Sequence, residues 1–254
     1  MILIPMAGQS SRFSKAGYAV PKFMLEAHGK TIFEYSVGSF RNYFDTLDFV
    51  FVCSSDENVT KFVENKIIEL GIKSSLIVTL GEQTKGQAET VYLGLKEYSK
   101  KKNVDLKAVD MTVFNIDTFR PNFLFPNLED MGDGYLEVFE GEGSNWSFAR
   151  PLRENSTLVT ETAEKMPISN LCSTGLYHFH KAKDFIESFE NYASRPKSEW
   201  QSGELYIAPL YNYLIDSGRE IHYQKILSEE VIFCGIPEEY LNFLSREDMN
   251  DAWR

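Results

Sequence analysis

The run Ile2-Leu3-Ile4-Pro5-Met6-Ala7-Gly8-Gln9-Ser10-Ser11-Arg12-Phe13, followed downstream by Pro21-Lys22, decides how this chain is read. Ile2–Met6 reads as a short buried strand, because no basic stretch precedes it and its apolar run is too short for a signal peptide. The residues after it suit a turn around an anion. Gly8 permits a tight turn and a close backbone approach. Successive N–H groups, with the hydroxyls of Ser10 and Ser11, are able to form an anion nest. Arg12 adds a planar fork of donors matched to phosphate oxygens. Pro21 fixes the backbone just before Lys22, a compact ammonium suited to an oxygen on which charge grows. Residues 1–25 carry Arg12, Lys15 and Lys22 but no Asp or Glu, in a chain whose net charge is -11. An ordinary loop with surface cations would not require that local exclusion of carboxylates. Neither G-x-x-x-x-G-K-[ST] nor G-x-G-x-x-G occurs, which argues against a Walker loop and against dinucleotide binding.

Outward from this turn the chain alternates. Apolar, β-rich runs recur at Ile2–Met6, Leu47–Cys53, Ser75–Leu80 and Val109–Ile116, with helical patterns between them at about residues 31–43, 57–70 and 86–102. That order predicts βαβ units and a mostly parallel central sheet, whose ligands bind beyond the carboxyl ends of the strands. Ser54, Ser55 and Asp56 are placed to cap the helix from residue 57, and Gly71 to end it. The second half reads as short strands at Tyr135–Glu140, Trp146–Leu152, Thr157–Thr162 and Leu171–Phe179. Helices at Lys181–Tyr192 and Glu204–Ser217, two short strands and a last helix from Pro237 follow. No repeat or linker appears. The expectation is one α/β domain over residues 1–254, its later part a smaller mixed sheet over the site.

Composition narrows the setting. With 43% hydrophobic and 14% aromatic residues, the chain can build a substantial core. No apolar stretch approaches the roughly 20 residues of a membrane span, so no membrane partner is expected. Cys53, Cys172 and Cys234 are far apart and in no C-x-x-C pair, which fits a reducing, cytoplasmic compartment without disulfides or a thiolate zinc site. The three N-x-[ST] matches, at Asn58, Asn145 and Asn155, are then chance. An acidic surface whose longest basic run is Lys100-Lys101-Lys102 repels nucleic acid. Self-association into a homo-oligomer is left open.

Met6-Ala7-Gly8-Gln9-Ser10-Ser11-Arg12-Phe13 with Pro21-Lys22 resembles the opening motif of the NTP-transferase family, which includes sugar-1-phosphate nucleotidyltransferases and cytidylyltransferases. The family usually has glycine where this chain has Ser10. The resemblance spans nearly the whole chain and implies a Rossmann-like, GT-A-type fold. Residues 1–120 would be a nucleotide-binding half and 121–254 an acceptor-binding half. It also implies roles. Arg12 and Lys22 would be catalytic, and Ala7, Gly8, Gln9, Ser10 and Ser11 would hold phosphates. Gln83 and Gly86, in Gly81-Glu82-Gln83-Thr84-Lys85-Gly86-Gln87-Ala88, match the residues that bind the base; a helix N-terminus with a loop glycine is the alternative.

Phe114-Asn115-Ile116-Asp117-Thr118 ends the fourth apolar strand, where a carboxylate is costly unless it faces a cleft, a partner or a metal. In the family an Asp here binds Mg²⁺, so Asp117 is the metal candidate. The family's second ligand position falls on Phe233, before Cys234-Gly235-Ile236-Pro237, and is not carried over; Glu229 or Glu230 is the substitute considered. Glu164-Lys165 resembles the family's acceptor-contacting Glu-Lys segment, with Gly175 on a neighbouring small-residue strand. Trp146 and Arg150 lie nearby in the family order, and Arg153 is a further cation considered for an amino-acid acceptor. His178 and His180 share one face of a strand, and with no third ligand evident they read as structural.

The chemistry these resemblances imply is in-line attack of an acceptor phosphate on the α-phosphorus of an NTP, with release of pyrophosphate and Mg²⁺ as cofactor. Within the family, the opening motif, the Trp146–Ala149 segment and the chain length resemble the capsule-biosynthesis branch, the CTP:phosphoglutamine cytidylyltransferases. That implies CTP and an N-phosphorylated L-glutamine as partners; a sugar 1-phosphate or phosphocholine is the other acceptor considered. A GT-A glycosyltransferase would show an Asp-x-Asp motif, where this chain reads Asn115-Ile116-Asp117. A catalytically silent nucleotide-sensing domain is the remaining alternative, kept open by Phe233.

Overall fold

The computed structural model describes residues 1–246. In chain order its strands are β1 (Ile2–Pro5), β2 (Glu26–Ala27), β3 (Lys30–Thr31), β4 (Asp48–Ser54), β5 (Ser74–Leu80), β6 (Met111–Phe114) and β7 (Thr118–Phe119). They continue as β8 (Gly134–Glu140), β9 (Ser147–Pro151), β10 (Val159–Glu164), β11 (Leu171–Phe179), β12 (Ile221–Lys225) and β13 (Ile232–Phe233). The helices are α1 (Ser11–Lys15), α2 (Ile32–Gly38), α3 (Glu57–Leu70), α4 (Gln87–Lys102), α5 (Ala182–Ala193), α6 (Leu210–Asp216) and α7 (Pro237–Leu244).

Nine strands share one sheet, in the order β10-β9-β11-β6-β1-β4-β5, with β8 pairing β11 and β12. The first-half strands are parallel throughout: β1 pairs β4 and β6, and β4 pairs β5. This is the βαβ arrangement expected from alternation, and it brings the carboxyl ends of β1, β4 and β6 to the same edge. The second-half strands do not form a separate layer over the site. β11 pairs β6 in antiparallel register, Leu176 opposite Phe114, and so continues the same sheet. Two small ribbons, β2-β3 and β7-β13, stand apart from it.

Side-chain alternation along the strands splits the core in two. Ile2 and Ile4 join Phe33, Phe51 and Phe114 on one face, whereas Leu3, Val50 and Val52 join Leu95 and Phe179 on the other. Each such large apolar side chain, buried from water, contributes roughly 1.5–3 kcal/mol before entropy is counted. Local signals set the helix ends. The Asp56 carboxylate accepts from Asn58 N at 2.8 Å, and Gly71 closes α3 at φ 74. Thr31 and Glu34 form a reciprocal capping box on α2.

Two expected helices are shorter than their apolar patterns. The first stops at Gly38 and continues as a 3-10 turn at Arg41–Tyr43. The second does not begin at Glu204. Leu205 N donates to Lys85 O at 3.0 Å and its carbonyl accepts from Ala88 N at 2.9 Å, so the segment is tied to the start of α4. Pro209 also disfavours helical backbone in the residue before it, and α6 starts at Leu210. No described helix is long and apolar enough to cross a membrane.

Candidate active site

β1 delivers the chain to a cavity of about 380 Å³ at the carboxyl edge of the parallel strands. That volume lies at the small end of the range for small-molecule sites. Ala7, Gly8, Gln9, Ser10 and Ser11 line the cavity together with Lys22, Gln83, Gly86 and Asp117. Residues far apart in sequence thus line one cavity.

Ser10 sits in the left-handed region, φ 48 and ψ 35, immediately before α1. That backbone favours glycine, which accounts physically for the glycine usual at this position in the family. Its hydroxyl accepts from Lys22 N at 3.3 Å, joining the loop to the Pro21-Lys22 turn. Gln9 Nε2 donates to Gln83 Oε1 at 3.0 Å, and so bridges the mouth between two loops. Arg12 is not brought in. Phe13 of the same short helix is buried against Tyr18 and Tyr240, and Arg12, about 100° round the helix, projects to solvent outside the cavity lining.

Lys22 Nζ donates to Asp117 Oδ2 at 2.5 Å, with the two side chains only 22% and 19% exposed. A half-buried pair of this kind is screened less than a surface one and is worth more. Asp117 leaves β6 just before β7, and Cys234 N donates to its carbonyl at 2.8 Å. A Cβ on Gly235 would lie 2.9 Å from Asp117 Oδ2 and 3.5 Å from Glu239 Oε2, so two carboxylates converge on one side-chain-free point. The Glu239 carboxylate accepts from Gly235 N at 2.7 Å and Ile236 N at 3.2 Å. Burial raises its pKa above the usual carboxylate range and Asp117 adds to the rise, against those backbone donors and Lys22.

Glu239 carries no sequence signal beyond an acidic residue near the start of a Pro-initiated helix, where an ordinary cap is expected. The substitutes considered for Phe233 do not reach the site. Glu230 accepts from Leu227 N at 2.8 Å and its carbonyl accepts from Arg120 Nη1 at 2.6 Å, while Glu229 is exposed. Phe233 itself packs against Trp146, with ring centroids 4.8 Å apart, and against Phe139 at 5.3 Å.

Among the described residues no group of three His, Cys, Asp or Glu side chains could hold a metal unaided. Magnesium takes one or two protein carboxylates and completes its shell with waters and phosphates. Asp117 lines the cavity and fits an ion shared with a bound triphosphate, not a preformed metal cage; Glu239 lines a separate cavity and its carboxylate is engaged by the N–H groups of Gly235 and Ile236.

Gly86 precedes α4 at φ 150, and a Cβ there would lie 2.5 Å from Leu205 O. The conformation admits the 205 segment, which carries Glu204 and Tyr206 to the cavity wall. This steric role exists alongside any approach to a base.

A second cavity, of about 140 Å³, adjoins the first and contains Trp146, Glu164 and Gly175. Glu164 is 7% exposed, and its carboxylate accepts from the Ser147 hydroxyl. Burial raises its pKa, against the Ser147 bond and the Lys165 charge. Lys165 lies at the rim, with its ammonium 4.4 Å from the centre of the Tyr206 ring and bonded to the Tyr206 hydroxyl. Arg150 is turned away: Nε donates to Glu161 Oε2 at 2.8 Å on the exposed face. β9 alternates, so with Ser147 and Ala149 inward Arg150 points out. Arg153 is exposed beyond the strand end. His178 is buried in the core, its Nδ1 2.9 Å from Thr112 Oγ1.

Comparisons with known proteins agree with this fold. A model of the MobA-like NTP transferase domain matches residues 2–123. A crystal structure of the nucleoside-diphosphate-sugar pyrophosphorylase from Vibrio cholerae RC9 is 56% identical and superposes with a TM-score of 0.91, over 97% of this chain and 100% of that one. The inositol-1-phosphate CTP transferase of T. maritima, 15% identical, covers 96% of this chain and 94% of its own with a TM-score of 0.71. A UDP-glucose pyrophosphorylase from Acinetobacter baumannii, 16% identical, covers 96% and 91% with a TM-score of 0.68. The last two likenesses speak to the fold alone. No curated protein matches the sequence.

Proposed function

The chain belongs to the NTP-transferase family, and from that premise we propose that it transfers a nucleoside monophosphate from an NTP to a phosphate-bearing small molecule. The observation that carries this reading is that the Ala7–Ser11 loop and the Lys22–Asp117 pair line one cavity, with a second cavity adjoining. Residues 1–120 then serve the nucleotide, and residues 121–254 the acceptor.

In this account the loop N–H groups and the Ser10 and Ser11 hydroxyls hold the triphosphate. Lys22 leaves Asp117 for the α-phosphate and steadies the charge that grows there. Arg12, exposed outside the cavity lining, would have to swing in from solvent to grip the β- and γ-phosphates. An acceptor phosphate is already a nucleophile, so positioning and charge neutralisation are what the protein must supply, without a general base. A divalent ion held by Asp117 would supply further charge neutralisation on the phosphates. Gln83 and the backbone at Gly86 offer an amide and a close edge to the base.

For the finer specificity we propose CTP as donor and an N-phosphorylated L-glutamine as acceptor. Two features support this: the likeness of the opening motif and of Trp146–Ala149 to the capsule-biosynthesis cytidylyltransferases, and the buried Glu164 carboxylate, which suits an ammonium. The name of the Vibrio cholerae relative favours a sugar 1-phosphate acceptor instead. Pyrophosphate release, screened with four NTPs against N-phosphorylated glutamine, phosphocholine and sugar 1-phosphates, separates these readings. Release that requires both substrates supports nucleotidyl transfer; no release with any pair rejects it.

A further inference from the structure

Three residues, Gln87, Asn115 and Tyr206, line both the larger and the smaller cavity. They therefore form the boundary across which a nucleotide in one cavity and an acceptor in the other would meet. Gln87 Nε2 donates to Asn115 Oδ1 at 2.5 Å, which occupies the acceptor end of the Asn115 amide and leaves Nδ2, beside Gly175, as its free donor. Asn115 Nδ2 makes no hydrogen bond within the described residues, although the side chain is half-buried. A half-buried donor without a partner calls for one from solvent or ligand.

The position of that donor is over-determined. A Cβ at Gly175, which holds φ 91, would overlap Asn115 Nδ2, so only a residue without a side chain leaves the amide its place. The Asn115 backbone is held on both sides: its N–H donates to Gly175 O at 3.2 Å and its carbonyl accepts from Ser36 Oγ at 3.1 Å. The buried Ser36 is on α2, so the amide is anchored to the sheet and to a helix at once. Such anchoring holds a group at a defined angle, which is what a reacting phosphate needs.

We propose that Asn115 Nδ2 holds the acceptor's phosphate at the junction of the two cavities, with Gln87 and Gly175 fixing its position. The inference rests on the nucleotidyl-transfer reading above. An oxygen that attacks the α-phosphorus must reach from the second cavity into the first, and Asn115 lies where that crossing occurs. A neutral amide orients the phosphate without drawing off the negative charge that makes it a nucleophile, as a lysine in the same place would.

The test compares wild type with Asn115→Asp, Asn115→Ser and Gly175→Ala, using CTP with N-phosphorylated glutamine or UTP with glucose 1-phosphate. Asn115→Asp keeps the acceptor of the Gln87 bond and replaces the free donor with an oxygen that repels phosphate. The acceptor KM should rise about ten- to a hundredfold, as expected for losing a hydrogen bond to a charged group. The Kd for the nucleotide, from a titration without acceptor, should stay within about twofold of wild type. Asn115→Ser and Gly175→Ala should raise the acceptor KM in the same direction, so a folding defect in one variant leaves the other two to decide. Unchanged acceptor KM in variants that melt as wild type does overturns the inference while leaving nucleotidyl transfer standing. Nucleotide Kd and acceptor KM rising together also overturns it, since a merely structural role has that effect. Wild type without activity on either substrate pair or on any in the wider screen rejects the reading itself, and the inference falls with it.

Discussion

Lys22 Nζ and Asp117 Oδ2 lie 2.5 Å apart, joining residues 95 positions distant in the sequence within the lining of the larger cavity. The pair closes on itself what each side chain is proposed to hold in the complex: phosphate for Lys22, a divalent ion for Asp117. Lys22→Ala is expected to reduce turnover by at least about a hundredfold, the scale of losing one charge-stabilising donor. Melting should fall modestly, by the worth of one half-buried ion pair, with the fold intact. Steady-state rates and a melting curve on one preparation check this, and wild-type turnover would remove Lys22 from the chemistry.

Gly235→Ala places a methyl 2.9 Å from Asp117 Oδ2, close enough to push a carboxylate but not a strand. Turnover should fall by about tenfold or more while the melting temperature holds, because the end of a side chain moves at little cost. The divalent-ion concentration for half-maximal rate should rise with it.

Gly86→Ala should act through stability. Its new Cβ would lie 2.5 Å from Leu205 O and 2.6 Å from Leu205 N, backbone atoms that cannot swing aside. The φ of 150 adds strain for any L-residue. A loss of about 2–4 kcal/mol is expected in denaturant unfolding. Because the 205 segment carries Tyr206, both cavities should be disturbed.

Glu164→Gln keeps the volume of the side chain and removes a buried charge whose pKa burial already raises. Stability should be unchanged or slightly improved, since burying an ionised carboxylate is costly. The KM for an ammonium-bearing acceptor should rise about tenfold, with that for the nucleotide unaffected. Equal effects on both substrates would remove Glu164 from acceptor recognition.

Burial pushes the His178 imidazole down to about 4 from its ordinary 6.5, with Asp110 opposing the shift and the Met1 amino group and His180 adding to it. The unfolded chain then binds more protons than the folded one between those values. Stability is therefore lost as the pH falls through that window and is retained above it, by up to about 3 kcal/mol for this one group. Melting followed from pH 7 to pH 4.5 should show the decline. In His178→Gln the slope should be shallower by about one proton.

The parallel half of the fold was legible because its cues are local: buried apolar runs alternate with helices that carry their own caps, as Asp56 and Gly71 do for α3. Strand order placed the Gly8 loop at the carboxyl edge of the sheet, and the family resemblance pointed to Gln83 and Asp117, which line the same cavity. What could not be read depends on contacts between distant segments. The Asp117 carboxylate keeps its place because Gly235 has no side chain, and Asn115 finds its place through Gly175. Arg12 and Arg150 carry the right chemistry, but buried neighbours, Phe13 on α1 and Ser147 and Ala149 on β9, set the direction in which each points. The expected helix from Glu204 failed for a similar reason, because the backbone of Leu205 is bound to Lys85 and Ala88.

Crystals grown with CTP and Mn²⁺, the latter standing in for magnesium, allow the central claim to be tested by one anomalous-difference map. The account predicts a manganese peak within coordinating distance of Asp117, triphosphate density along Ala7–Ser11, and the Lys22 ammonium moved from the carboxylate to phosphate. A peak elsewhere in the molecule, with Lys22 and Asp117 still closed on each other beneath bound nucleotide, would contradict it.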